Sequence, residues 1–155
     1  MAEPRVFNGI DSVKAAVGEH LGYSDWLEIT QERVNTFAEA TGDYQWIHVD
    51  VERAQAGPFG GTIAHGYLTL SLASFFLPQI ARYEGFAMAI NYGVDKVRFV
   101  APVLVGKRIR AGAEMQEVTD VKGGIQTKVL ITIEIEGSER PACVIESLSR
   151  WMALA

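Results

Sequence analysis

The sequence predicts an α+β fold in which a long antiparallel β-sheet wraps around a central hydrophobic α-helix. Three observations carry this expectation. Residues 63–77 are apolar on nearly every side, so a helix formed there must be wrapped by other structure. From about residue 86 the pattern changes to long strand-like runs, over 87–100, 108–118, 125–135 and 140–151. The breaks between them, at Ala101-Pro102, Lys122-Gly123-Gly124 and Glu136-Gly137-Ser138, are short enough to join antiparallel neighbours into a meander.

Residues 1–24 read as an N-terminal extension, partly helical, on a single domain that occupies 1–155. The extension lacks the continuous apolar stretch of a signal peptide. From Thr30 to Ala40 the apolar residues Val34, Phe37, Ala38 and Ala40 fall near helical spacing, with Thr30 as N-cap and Gly42 just beyond the end. A loop follows over 41–50. The turn-forming run Gly57-Pro58-Phe59-Gly60-Gly61 then delivers the chain into the apolar helix, which Pro78 ends. Among the strands, Lys128–Ile135 is the richest in β-branched residues. A sheet of this kind leaves an edge, and pairing of edges in a symmetric dimer is a common protection.

The 155 residues, 48% of them hydrophobic and 21% charged, suffice for one domain with a real core. Lys and Arg number 14 against 19 Asp and Glu, and the formal charge of -5 repels a phosphate backbone, which argues against nucleic-acid binding. Cys143 is alone and sits in the apolar run Ala142-Cys143-Val144-Ile145, so it makes no internal disulfide and is expected to be an inert, buried thiol in a reducing cytoplasm. No apolar window is long enough to span a bilayer.

Two segments offer chemistry. In Ala40-Thr41-Gly42-Asp43-Tyr44-Gln45-Trp46-Ile47-His48-Val49-Asp50 a carboxylate and an imidazole lie five positions apart in a loop after a helix. Such a pair can hold a water between an acceptor and a donor of protons. The plainer reading makes Asp43 a turn cap and His48 a packed side chain. In Gly60-Gly61-Thr62-Ile63-Ala64-His65-Gly66-Tyr67, glycines let a backbone approach a ligand, and free N–H groups at a helix start suit a carbonyl oxygen that gains negative charge. The segment is neither a P-loop nor a dinucleotide fingerprint. His20, His48 and His65 match no zinc spacing, so no metal is expected. Ser71 and Ser74 lie inside a helix pattern and not in a nucleophile elbow, although Ser74 can still donate a hydrogen bond.

Taken together, Ala40-Thr41-Gly42-Asp43-x-x-x-Ile47-His48-x-Asp50, the later Gly60-Gly61-Thr62-Ile63-Ala64-His65-Gly66-Tyr67-Leu68 and the closing strands resemble the MaoC-like (R)-specific enoyl-CoA hydratases, over about 25–151. Gln45-Trp46, where many members have Asn-Pro, is similar to the branch related to nodulation protein N. The resemblance implies a hot-dog fold, a homodimer, and reversible hydration of trans-2-enoyl-CoA to (3R)-3-hydroxyacyl-CoA. It implies Asp43 and His48 as the catalytic pair, the Gly66 N–H on the thioester oxygen and Ser74 in support. Trp46, His65, Tyr67, Leu70 and Phe75 are then expected to line the acyl-CoA site, without a redox cofactor or metal. A hot-dog thioesterase and a non-catalytic acyl-CoA-binding module are the alternatives.

Overall fold

The computed structural model describes residues 3–155. The elements in chain order are β1 (Arg5–Asn8), α1 (Ile10–Ala15), β2 (His20–Tyr23), β3 (Leu27–Glu28), α2 (Gln31–Thr41), α3 (Trp46–Val49), α4 (Val51–Gln55), α5 (Gly66–Ser71), α6 (Ala73–Ile80), β4 (Ala81–Glu84), β5 (Phe86–Phe99), β6 (Arg108–Val121), β7 (Gly124–Ile135) and β8 (Cys143–Ala153). The main sheet runs in the order β2-β6-β7-β8-β5, with β3 also paired to β6, while β1 and β4 form a separate parallel pair.

The four long strands stand where the sequence places them, but they are not one meander. β6, β7 and β8 follow one another, whereas β5 crosses to the far side and pairs antiparallel with β8. The reason lies in the segment 100–107. It leaves β5 through Val100 and Ala101, whose N–H groups bond Ala142 O at 2.9 and 3.4 Å, and then docks on the 62–64 segment through Ala64 N–H to Val103 O at 2.8 Å. It is therefore a crossover that also builds the site, rather than a hairpin turn. Residues 5–23 contribute two strands and a helix whose Phe7, Val13 and Ala16 are buried in the main core.

The sheet bends around its helices because its ladders are interrupted. Register shifts occur between Phe86 and Met88, Asn91 and Gly93, and Val94 and Lys96 in the β5–β8 pairing, and between Met115 and Glu117 in β6–β7. Strand β7 alternates strictly, with Ile125, Thr127, Val129, Ile131, Ile133 and Ile135 turned inward. Phe76, Ile109, Met115, Ile131, Ile133 and Ile145 are fully buried and join the helices to the concave face.

The expected single helix is two helices, α5 and α6, meeting at Leu72, and it runs past Pro78 to Ile80. Pro78 removes one backbone donor but does not end the helix, because Ile80 is buried at 2% exposure and anchors the last turn. Nor is the helix wrapped on all sides. Tyr67 is 70% and Phe75 48% exposed, so its apolar character is shared between the core face and a face open in the single chain.

Phe76 is the largest helix side chain sealed against the sheet, and Phe76→Ala is expected to lower the unfolding free energy by about 3–5 kcal/mol in urea denaturation.

Candidate active site

The site begins with the end of α2. Thr30 Oγ1 accepts the Arg33 N–H at 3.1 Å at the start of the helix, and Gly42 ends it with φ +80° and its N–H on Ala38 O at 2.8 Å. That left-handed turn favours glycine and swings the chain outward at Asp43. Asp43 Oδ1 accepts the Gln45 N–H at 3.3 Å, the turn-capping role open to it in the plainer reading, while the carboxylate stays exposed. Gln45 O then accepts the His48 N–H at 3.0 Å, so His48 sits on the short helix α3 rather than in a loop.

His48 is only 6% exposed. Its Nδ1 lies 2.7 Å from Ile63 O, and because a carbonyl only accepts, Nδ1 carries the hydrogen and Nε2 keeps a free lone pair. The 62–65 segment is laced to α3 by more bonds. Ile63 N–H donates to Ile47 O at 3.0 Å, and His65 Nε2, in a ring 3% exposed, lies 3.0 Å from Asp43 O. The two imidazoles stack with centroids 3.9 Å apart and planes 22° from parallel. Asp43, His48 and His65 each bring one ligand-type atom within 4.8 Å of the others.

Two residues that the sequence did not single out complete this lacing. Gln31, the first residue of α2, donates from Nε2 to His48 O at 2.7 Å and to Asn35 Oδ1 at 2.9 Å, and its Oε1 accepts the Thr62 hydroxyl at 2.6 Å. A glutamine at a helix start carries no local signal of this role, since its partners lie 17 and 31 positions away.

Gly66 opens α5 after His65, whose carbonyl accepts the N–H groups of Leu68 and Thr69, both at 3.1 Å. Gly66 and His48 share a cavity of about 360 Å³ with Phe59, Ile63, Thr69 and Phe99. A Cβ at Gly66 would stand 3.1 Å from Phe99 Cδ1, which makes the bare backbone part of the cavity's shape. Phe59 and Phe99 are further lining residues that sequence reasoning missed. Aromatic residues outside a motif are more often core, and nothing local marks these two as different.

The other expected site residues are placed elsewhere. Ser74 and Leu70 line a second, larger groove of about 740 Å³ between α5–α6 and the strands β5 and β8. Tyr67 is exposed and meets the Phe99 ring edge-on at 5.9 Å. Three others line neither of these two cavities. His65 is buried against His48 and Phe37, with no face on either cavity, because its Nε2 is committed to Asp43 O. Trp46 packs against Gly57 and lies under the Arg53 guanidinium at 4.3 Å. Phe75 leans on Phe76, with Arg33 at 6.0 Å, on the open face of α6.

Burial is the largest influence on His48 and lowers its pKa from 6.5, with His65 adding to the lowering, while the Ile63 carbonyl and Asp43 act in the opposite direction. His48 is therefore held as a neutral base. The donor set suits a metal poorly. Imidazole lone pairs lie in the ring planes, and two stacked, near-parallel rings do not aim them at one point. Cys143 is fully buried and its thiol is pushed up to about 11, which agrees with an inert residue. No helix among the described residues is long and apolar enough to cross a membrane.

Residues 12–136 match the family model described as MaoC like domain. The chain is 54% identical over 150 residues to 3-hydroxyacyl-thioester dehydratase Z of Mycobacterium tuberculosis, covering 96% of this chain and 99% of that protein. It is 40% identical over 149 residues to Nodulation protein N of Rhizobium meliloti, covering 94% and 90%. In structure it superposes on the R-hydratase PhaJ1 of Pseudomonas aeruginosa with a TM-score of 0.73 at 22% identity, over 89% of this chain and 83% of that one.

Because the folded chain binds fewer protons at His48 than the unfolded chain, this residue's contribution to stability is present above pH 6.5 and is lost as the pH falls through its lowered folded value. Urea midpoints measured from pH 8 to pH 5 are expected to fall toward acid, and to fall less steeply in His48→Gln. Gln31→Leu, which strands the His48 carbonyl and the Thr62 hydroxyl, is expected to cost about 1–3 kcal/mol by the same assay.

Proposed function

The chain belongs to the MaoC-like domain family, and from that premise we propose that it is an (R)-specific enoyl-CoA hydratase, a hydro-lyase that adds water reversibly and syn to trans-2-enoyl-CoA to give (3R)-3-hydroxyacyl-CoA. Its 54% identity to a 3-hydroxyacyl-thioester dehydratase over nearly its whole length supports this reading. The observation that carries it is the pairing of Asp43 with a buried, neutral His48 whose Nε2 is left free by the Ile63 carbonyl.

Hydration needs a water made nucleophilic, a proton delivered to C2 and a partner for the thioester oxygen as it gains charge. The Asp43 carboxylate and His48 Nε2 are both acceptors, and together they hold one water by its two hydrogens. One of them takes a proton as the hydroxyl oxygen bonds to C3, and the proton returns to C2 as the enolate-like intermediate collapses. Both groups act from one side, so the addition is syn. The Gly66 N–H, in the same cavity as His48, meets the thioester oxygen, and such a donor is worth on the order of a hundredfold in rate. The acyl chain lies along apolar surface beside α5 and α6, with Leu70 and Ser74 on the larger groove and Tyr67 at the exposed rim by Phe99. The chemistry calls for no redox cofactor or metal.

The protein acts as a cytoplasmic homodimer of one domain spanning 1–155. Support for the dimer comes from β5, an edge of the sheet that carries exposed Met88, Ile90, Tyr92 and Val94 along its length.

With crotonyl-CoA, the conjugated enoyl-thioester absorbance is expected to disappear without release of thiol. Asp43→Asn is expected to slow the loss by several orders of magnitude at unchanged Tm. Released thiol would instead mark a thioesterase, and an unreactive wild-type protein across short and medium enoyl chains would remove the hydratase reading. The acid limb of kcat/KM is expected to have its midpoint below pH 6.5, since His48 must be neutral to accept a proton.

A further inference from the structure

The His65 side chain touches both members of the proposed pair. Its Nε2 is 3.0 Å from the Asp43 carbonyl, and its ring lies flat on His48 at 3.9 Å. The next residue is Gly66. The His65 backbone is fixed by α5, because its carbonyl takes the Leu68 and Thr69 N–H groups at 3.1 Å and the Thr69 hydroxyl at 3.4 Å. Phe37 of α2 also packs on the ring, 4.9 Å away and tilted by 54°. A single residue thus relates the Asp43 turn, the His48 ring and the Gly66 N–H to one another.

The ring's remaining nitrogen is the telling atom. Hydrogen on Nε2 leaves Nδ1 as an acceptor, and Nδ1 is buried with no hydrogen-bond partner among the described residues. A buried polar atom without a partner is a cost that an apolar ring would avoid, so packing alone does not account for an imidazole here.

We propose that His65 is a positioning residue: its Nε2–H holds the Asp43 turn, its ring face holds the His48 imidazole, and its backbone sets both against the Gly66 N–H. This rests on the reading of Asp43 and His48 as the reacting pair. Misplacing such groups by about 1 Å lowers turnover by about a hundredfold.

The test is steady-state hydration of crotonyl-CoA by His65→Phe, which keeps a ring and removes the donor, and by His65→Gln, which keeps an N–H at similar reach. Asp43→Asn and His48→Ala run beside them. For His65→Phe the expected result is a fall in kcat of about tenfold to a hundredfold with KM changed less than about threefold, and Tm equal to or above wild type. His65→Gln is expected to recover most of the lost kcat. A Phe variant within about threefold of wild-type kcat, or a Gln variant no better than Phe, would overturn the proposal. If Asp43→Asn and His48→Ala stay fully active, the reading beneath it fails first, and that outcome is distinct from active His65 variants beside inactive dyad variants. Should the Phe variant not fold, ring-nitrogen NMR of the wild-type protein at pH 8 decides. Hydrogen on Nε2 of His65 supports the proposal, and hydrogen on Nδ1 overturns it.

Discussion

The bond from His48 Nδ1 to the Ile63 carbonyl, 2.7 Å long and buried, is the contact on which the site depends. It fixes the imidazole's tautomer and leaves Nε2 with a free lone pair. It also joins α3 to the 62–65 segment, 15 residues further along the chain. Around it the remaining bonds are reciprocal: Ile63 N–H to Ile47 O, His65 to Asp43 O, and Gln31 to both His48 O and Thr62. In a buried setting each such bond is worth more when its neighbours are also made, because an unmade one strands a polar group away from water.

The fold supplies the rigidity this lacing needs. The 62–65 segment is held from behind by the β5–β6 crossover, through Ala64 N–H to Val103 O and Val105 N–H to Thr62 O at 2.9 Å. The crossover is fixed in turn by β8, whose approach at Ala142 takes the N–H groups of Val100 and Ala101. The sheet's concave face, with Ile131, Ile133 and Ile145 fully buried, presses on α6 through Phe76 and so seats the helix pair that begins at His65 and Gly66. A stable core and an accurately built site are thus two consequences of the same strand order.

Much of this was legible from local chemistry. The helix over 31–41 announces itself through Thr30 and Gly42, whose capping roles depend only on neighbours within four residues. The strand β7 appears almost to the residue, because alternation over a dozen positions is a signal that one buried face must produce, while β6 runs three residues past its expected end to Val121. Asp43 and His48 are legible as a pair, since the turn after α2 and the short α3 bring them together locally. The strands β1 to β4 are two to four residues long and leave too little pattern to read. Phe75 and Trp46 look like any site aromatic in sequence, and only the fold sets the one beside Phe76 and the other under Arg53.

The sequence by itself determined what is set by near neighbours: the α+β class, the long strands, the caps of α2 and the local closeness of Asp43 and His48. Tertiary structure alone decided the rest. It placed β5 beside β8, brought His65 onto His48 from 17 positions away in the chain, recruited Gln31 and Thr62, and put Gly66 and Phe99 in one cavity. The physical reason is that a buried donor or acceptor must find a partner wherever the fold offers one, and that choice is made by the packing of distant segments, which local periodicity does not encode.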